Sequence, residues 1–385
     1  MKNEIKNFDQ GVARIKKAIK NKERIVLYGH SDLDGVTSLI VLKASIEVLG
    51  GKISDIYFPN DAKDGHGLNK AGLKKLKKYT PALLIILDCG IGNNKEVDIA
   101  NNLGFEVMII DHHKVLKLPN ASIIIDPKQP GDLYPFKDLA NVGIVYKFAK
   151  KLLGKKMTKS VSDFFLELVT IGSISDMVPE KDENKKLIDK GMELIGENSS
   201  ISGVRAFWEI FSDEHQSKRD IIAKMNSAIN TGTGQGYANQ MYIILKVKEY
   251  KIALIFAKIL AKKGYIKNKR IEKILKKVQK RVSQKNINFV IIEGDKSWQS
   301  SFLGTCASKI SNEYNIPTFL YEKRKEDSLG SARVPTGLDA VDAMKSCSSF
   351  LIKFGGHSMA AGFRLKNENL EHFKICLEKY FKDKI

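Results

Sequence analysis

The strongest constraint on this chain is a rhythm in its first 126 residues, where short apolar runs close on aspartates and alternate with stretches of helical spacing. Residues 24–28, 83–87, 106–110 and 122–125 are such runs, 53–58 is a further strand with no aspartate at its end, and helical stretches lie at 36–49 and 68–78. Runs this short and this uniformly apolar suit strands buried on both faces. Strands alternating with helices predict an α/β domain in which a parallel sheet is covered on both sides.

The polar residues follow the same rhythm. Asp34, Asp88, Asp111 and Asp126 each fall at or just beyond the C-terminal end of an apolar run. In open parallel sheets that edge is where ligands bind. Helix N-capping accounts for one or two acidic strand ends. It does not account for His30 and Asp32 beside Asp34, or for His112 and His113 beside Asp111. The chain has seven histidines, so three of them abutting strand-end aspartates is a concentration that points to ligation. Carboxylates mixed with imidazoles suit Mn²⁺ or Mg²⁺, and no cysteine cluster surrounds them to suggest a thiolate site. In Asp32-x-Asp34-Gly35 two alternate carboxylates face one way and repel unless a cation lies between them, and Gly35 permits a tight turn. Two divalent ions about 3.5–4 Å apart need several such groups, and their natural chemistry is hydrolysis of a phosphate ester.

At 385 residues and 43% hydrophobic, the chain is long enough for two packed domains. Its net charge of +20, from 64 Lys and Arg against 44 Asp and Glu, points to a polyanionic partner. Nucleic acid comes first and an acidic membrane surface second; a Lys-rich compositional bias is the other source of such charge. The four cysteines form no Cys-x-x-Cys pair and suggest neither a zinc knuckle nor a disulfide framework. The N-terminus lacks a signal-peptide pattern, and the longest apolar runs, 82–87 and 252–257, are too short to cross a bilayer. A soluble cytoplasmic protein with no membrane contact is expected.

Farther along, 142–195 reads as helical with a break at 172–179, and 204–285 as a helical connector. Ten Lys and Arg lie between Lys262 and Arg281, with Ile266, Ile271, Ile274, Leu275 and Val278 at roughly helical spacing. A solvated face and a phosphate-tracking face both fit this stripe. A second α/β unit begins with a strand at 287–292, a helix at 303–314 and strands at 318–321 and 331–334. The expected domains are therefore 1–203, 204–285 and 286–385. The glycine run 232–236 lacks a following Gly-Lys-Ser/Thr, so a hinge or turn is expected there rather than a P-loop.

Taken in order, His30-x-Asp32-x-Asp34-Gly35, Asp88, Asp111-His112-His113 and Asp176 resemble the four-motif signature of the DHH phosphoesterase superfamily. The resemblance implies that His30, Asp32, Asp34, Asp88, His112 and Asp176 bind two divalent ions, Mn²⁺ or Mg²⁺, with Asp88 as the bridge. It implies that His113 touches the scissile phosphate and that Asp111 orients the histidines. The segment 126–143 resembles RecJ-type single-strand exonucleases. The loop 64–68 does too, placing His66 either against a phosphate or simply in a surface loop. Gly355-Gly356-His357 resembles the substrate-binding motif of the associated DHHA1 domain, and Gly330-Ser331-Ala332-Arg333 the strand that supplies an arginine to the nucleotide. Substrate contacts from Ser331, Arg333, Gly355, Gly356 and His357 follow from that likeness. Free backbone N–H groups at paired glycines and a bidentate guanidinium both suit phosphate.

The resemblance spans roughly 22–200 and 285–375. His30 stands where bacterial RecJ carries Asp, and Asp126 where it carries Asn. The stretch 225–236 lacks an expected Gly-Arg, Gln299 follows Trp298 in place of His, and no room remains after 375 for a further oligonucleotide-binding domain. The short core resembles archaeal RecJ-like proteins, a group in which polarity differs, RNA can be a substrate and some members associate with the GINS replication complex. The expected function is a two-metal exonuclease on single-stranded DNA or RNA in repair and replication. The alternatives are a phosphoesterase for oligoribonucleotides, bisphosphonucleosides or cyclic dinucleotides, and a non-catalytic replisome scaffold.

Overall fold

The apolar runs of the first half become strands whose alternate side chains enter two different cores. Ile25, Leu27, Leu83, Ile85 and Leu87 join one core, while Val26, Tyr28, Leu84 and Ile86 join the other. A strand must be apolar at every position to do this, which is why the runs that form the central β1 (Ile25–Gly29) and β3 (Ala82–Leu87) show no polar alternation. In the computed structural model, which describes residues 4–59, 67–212, 216–229, 239–284 and 289–384, the chain divides into two units, 1–264 and 265–385. His66 and the glycine run 232–236 lie outside the described residues.

The first unit contains α1 (Phe8–Lys20), β1 (Ile25–Gly29), α2 (Leu33–Val48), β2 (Ile53–Tyr57), α3 (Lys70–Leu76), β3 (Ala82–Leu87), α4 (Asn94–Asn102), β4 (Phe105–Ile110) and β5 (Ile123–Ile125). Then come α5 (Asn141–Leu153), α6 (Lys159–Ser175), α7 (Asp182–Leu194), α8 (Ser202–Phe211), α9 (Lys218–Ile229), α10 (Gln240–Lys246) and the 34-residue α11 (Tyr250–Ser283). The sheet order is β2-β1-β3-β4-β5 and every neighbouring pair is parallel. Helices α1, α2, α5 and α6 cover one face through residues such as Ile15, Leu39, Phe148 and Val169. Helices α3 and α4 cover the other through Leu73, Leu76, Val97 and Ala100. The parallel, doubly covered sheet expected from the sequence is the one found.

Helix α1 escaped the sequence reading because its lysines mask a buried stripe of Phe8, Val12 and Ile15. The break expected at 172 comes later: α6 runs through Gly172 and ends with Asp176 as its C-cap. Gly172 serves close packing, since a Cβ there would lie 2.5 Å from Thr37 Oγ1 on α2. Gly35, expected to permit a tight turn, lies within the first turn of α2, where its N–H donates to the N-cap Asp32.

The second unit takes the last part of α11 and adds β6 (Ile291–Asp295), α12 (Ser300–Tyr314), β7 (Thr318–Lys323), β8 (Asp327–Arg333), α13 (Ala340–Ser346), β9 (Lys353–His357), β10 (Ala360–Lys366) and α14 (Leu370–Lys382). Its sheet order is β6-β7-β8-β10-β9. Only β6–β7 is parallel; the other three pairings are antiparallel. One side packs Ile271, Ile274 and Val278 of α11 against Leu303 and Ile310 of α12. The other is an aromatic cluster of Phe319, Phe363, Phe373 and Phe381. Contrary to the reading of the cysteines, Cys347 and Cys376 are disulfide-bonded within this unit, while Cys89 and Cys306 are free and buried.

The connector expected over 204–285 is shared between the units. Val204, Phe207, Ile244, Ala257 and Leu260 belong to the main core of the first, and the apolar face of α11 beyond Tyr265 to a core of the second. An amphipathic helix buries its stripe wherever a core is offered, so the boundary falls inside α11. Among the described residues no helix is long and apolar enough to cross a membrane.

Candidate metal centre and phosphate-binding residues

Because all strands of the first sheet run one way, their C-terminal ends share one edge. His30 follows β1, Asp88 follows β3, and Asp111, His112 and His113 follow β4. The first turn of α2 adds Asp34, its N-cap adds Asp32, and the C-cap of α6 adds Asp176. Three sets of donor atoms lie mutually within 4.8 Å: His30/Asp32/Asp88, Asp34/His112/Asp176 and Asp88/His112/His113. All six residues expected as metal ligands are thus brought together, and Asp88 and His112 each belong to two sets.

The distances fit a cation site rather than a self-satisfied network. His30 Nδ1 is 2.8 Å from Asp32 Oδ2 and 3.7 Å from Asp88 Oδ2. His112 Nε2 is 3.2 Å from Asp88 Oδ1, 3.9 Å from Asp34 Oδ2 and 3.8 Å from Asp176 Oδ2. Asp88 Oδ1 and His112 Nε2 are buried without a hydrogen-bond partner among the described residues. Such atoms are costly unless something absent from the protein engages them. His112 Nδ1 bonds the Leu139 carbonyl at 3.1 Å. With Nδ1 donating, Nε2 keeps a lone pair facing the carboxylates, the tautomer a metal ligand needs. Asp88 also adopts a left-handed backbone, with φ of 61°. That conformation is uncommon outside glycine and concentrates at functional positions.

The electrostatics agree. Burial and the charge of Asp32 push the Asp34 carboxyl up to about 7. Burial, then the charges of Asp34 and Asp32, raise Asp88 well above the usual carboxylate range. Burial and Asp34 push Asp176 up to about 6. Asp32 differs: burial works to raise it, but the hydrogen bond and charge of His30 hold it at about 2. A cation between these groups would take the place of the protons they otherwise retain.

Asp111 sits behind the cluster, fully buried. Its Oδ1 accepts from His112 N at 2.8 Å, His113 N at 3.2 Å and His113 Nδ1 at 2.7 Å, and its Oδ2 from Ile91 N at 3.1 Å. It therefore fixes the orientation of the His-His pair. The His113 side chain is 56% exposed, so its Nε2 is open to a ligand. The hydrogen bond to Asp111 raises its basicity. Asp126, the remaining strand-end carboxylate, stands outside the three sets. Its Oδ1 accepts from Lys128 N at 2.7 Å, its Oδ2 lacks a partner among the described residues, and burial pushes it to about 7.

Several supporting groups were missed in the sequence. The N-terminus of α5 clamps Asp34: Asn141 N donates to Oδ2 at 2.7 Å and Val142 N to Oδ1 at 2.8 Å. A helix N-terminus suits a carboxylate. With its amide oriented to satisfy both sides, Asn141 also donates to Ile110 O at 3.0 Å and accepts from Asp88 N at 3.1 Å. Lys128 Nζ donates to the His112 carbonyl at 2.6 Å. Residues 126–143 had offered no chemistry of their own without the family resemblance; their signal was the break in apolar patterning before α5.

In the second unit, Ser331 and Arg333 lie on β8 and Gly355, Gly356 and His357 on β9. Arg333 and His357 both pair with Ala360 of β10, so the three form one cross-strand row. The glycines are strand residues, Gly355 paired with Gly362 and Gly356 with Ala361; the His357 side chain lies outside what the structure describes. Arg333 is half-buried, its basicity lowered by burial, and its Nη1 donates to Ala332 O at 2.8 Å. Gly304 on α12 leaves space for it: a Cβ there would lie 3.0 Å from Arg333 Nη2 and 3.8 Å from Ser331 Oγ.

Residues 24–173 match the DHH family, N-terminal domain, and residues 286–383 match the DHHA1 domain. A single-stranded-DNA-specific exonuclease RecJ of Bacillus subtilis is 30% identical over 383 residues, covering 98% of this chain and 48% of that protein. The fold is similar to a crystal structure of exonuclease RecJ bound to manganese, with a TM-score of 0.84, 23% identity and coverage of 98% of this chain and 95% of that one. It is also similar to RecJ from Thermus thermophilus in complex with Mn²⁺, with a TM-score of 0.79, 22% identity and coverage of 100% and 56%. The chain spans about half the length of the Bacillus and Thermus relatives.

Proposed function

We propose, because this chain belongs to the DHH family and carries a DHHA1 domain, that it is a metal-dependent exonuclease hydrolysing phosphodiester bonds of single-stranded DNA, RNA or both. The observation that carries the reading is the convergence of six ligand-type side chains around the unpartnered Asp88 Oδ1 and His112 Nε2 at one sheet edge. The names of the RecJ relatives supply the substrate class.

Two divalent ions, Mn²⁺ or Mg²⁺, would supply charge neutralisation at the phosphate and an activated water. His30, Asp32 and Asp88 would hold one, and Asp34, His112 and Asp176 the other, with Asp88 reaching both. The remaining steps belong to the protein. Asp111 fixes the His113 ring through Nδ1 and favours its imidazolium form, in which the Nε2–H would donate to a non-bridging oxygen of the scissile phosphate. Asn141 and Val142 hold the Asp34 carboxylate against rotation. Ser331 and Arg333, with the backbone of Gly355 and Gly356 and with His357, are proposed contacts to a phosphate of the substrate, and His66 is proposed separately as a phosphate contact. Single-stranded nucleic acid in the cytoplasm is the proposed partner, in repair or replication. A GINS-type complex is a second proposed partner, carried by the resemblance to archaeal RecJ-like proteins.

The test is end-labelled, sequence-matched DNA and RNA strands incubated with Mn²⁺, Mg²⁺ or EDTA. Stepwise trimming of long strands that stops in EDTA and in Asp88→Asn is expected; asparagine tolerates the left-handed backbone. Trimming that continues at wild-type rate in Asp88→Asn would sink the mechanism. Activity confined to substrates of a few nucleotides would assign a small-substrate phosphoesterase instead. Strand binding without turnover under any metal would assign a scaffold.

A further inference from the structure

The ten cations between Lys262 and Arg281 are not equivalent. Lys269 pairs with Glu272 at 3.2 Å, and Arg281 with Glu293 at 3.2 Å and Asp295 at 2.8 Å. Three others, Arg270, Lys273 and Lys277, recur at i, i+3 and i+7 on α11 and line one cavity of about 240 Å³ in the second unit. Its apolar lining is Ile274, Trp298 and Phe302. Arg270 meets only the neutral Gln299, at 3.1 Å, and Lys273 has no carboxylate within ion-pair distance among the described residues. Lys277 is partly compensated, 3.6 Å from Asp295 and 3.3 Å from Ser297 Oγ. Trp298 is 2% exposed, and its buried Nε1 has no hydrogen-bond partner among the described residues.

We infer that this cavity is a binding site for the sugar-phosphate backbone of a single strand, built from residues other than Ser331 and Arg333. Two cations lining a pocket with no carboxylate partner among the described residues favour an anion. From Arg270 to Lys277 the helix advances about 10 Å, longer than one phosphate group, which selects a run of phosphodiesters over a free phosphate. The half-buried Phe302 gives a base or sugar an apolar surface beside those charges, the combination that holds single strands without sequence preference. The site goes beyond the proposed hydrolysis and does not depend on it, so its test reads binding in EDTA, where no turnover occurs.

Binding of a 20-residue oligothymidylate to the full chain, followed by anisotropy across a salt series, distinguishes the outcomes. Arg270→Gln with Lys273→Gln should lower the slope of log affinity against log salt by about 1.4, at roughly 0.7 per lost phosphate contact. Lys155→Gln with Lys156→Gln removes the same charge from an exposed turn of the first unit and should leave the slope unchanged. An unchanged slope in the first variant, or an equal change in both, would overturn the assignment. A Trp208→Phe chain retains Trp298 as its single tryptophan. Its emission should shift on adding the oligonucleotide and not on adding inorganic phosphate at the same phosphate concentration. No shift with the oligonucleotide, or saturation by inorganic phosphate alone, would each refute a strand site.

Discussion

The two sheets present their polar groups in opposite ways. In the first, every pairing is parallel, so all C-terminal strand ends meet at one edge, and residues as distant in sequence as His30, Asp88 and His112 come within a few ångströms. In the second, three of four pairings are antiparallel and strand ends alternate between edges. Polar groups there gather along a cross-strand row, as Arg333, Ala360 and His357 do. A shared edge can accumulate carboxylates until protons or cations must compensate them. A row on a sheet offers one or two donors and suits holding a phosphate more than attacking it. The first unit should therefore govern turnover and the second affinity.

The largest effect that would sharpen this contrast comes from Asp88→Asn. It should lower kcat on the order of 10³-fold while the fold is kept, checked by single-turnover cleavage and circular dichroism. Arg333→Ala should raise KM roughly 10- to 100-fold, the value of a charge-assisted phosphate contact, and leave kcat nearly intact. If Arg333→Ala lost its activity in kcat instead, the division of labour between the units would be broken.

The next contrast is thermal. Asp34 and Asp126 ordinarily titrate near 3.8 but sit at about 7 in the folded first unit, both raised by burial. A raised carboxyl contributes stability that is present below its ordinary value and is lost as pH rises through the folded value. Metal-free protein should therefore lose stability in its first unit between pH 5 and pH 8. Mn²⁺ replaces the retained protons, so it should raise the melting temperature more at pH 8 than at pH 5. The second unit has Asp295 instead, where burial is outweighed by Ser297, Lys277 and Arg281 and the carboxyl is held at about 2. Its transition should not move over that range. Calorimetry with and without Mn²⁺ checks both statements, and a pH-independent Mn²⁺ effect would contradict the first. The smallest effect is expected from Gly304→Ala, whose added Cβ crowds Arg333 Nη2 at 3.0 Å. A few-fold rise in KM with unchanged kcat, measured on the same strand, would place the guanidinium where the contrast needs it.

Much of the first unit was legible because strand and function share one signal. An apolar run ending at Asp88 or at Asp111 marks both a buried strand and its functional end. What was illegible is long-range and made by backbone. The clamp on Asp34 joins residues 107 and 108 positions apart through main-chain N–H groups, which carry no residue signature. The Leu139 carbonyl that sets the His112 tautomer is equally anonymous. In the second unit, no apolar run marks the strand that Gly355 and Gly356 occupy, and only pairing with β10 makes them an edge strand. The division inside α11 was hidden because one apolar stripe runs on while its packing partners change.

The left-handed backbone at Asp88 has an implication for tolerance to mutation. The position is filtered twice, once for a side chain that can bear negative charge among other acids and once for a residue willing to take positive φ. Glutamate passes the first filter and is strained by the second; asparagine and glycine pass the second and fail the first. In a saturation library scored separately for folding and for turnover, Asp88 should divide the substitutions into two nearly disjoint lists, with aspartate alone on both.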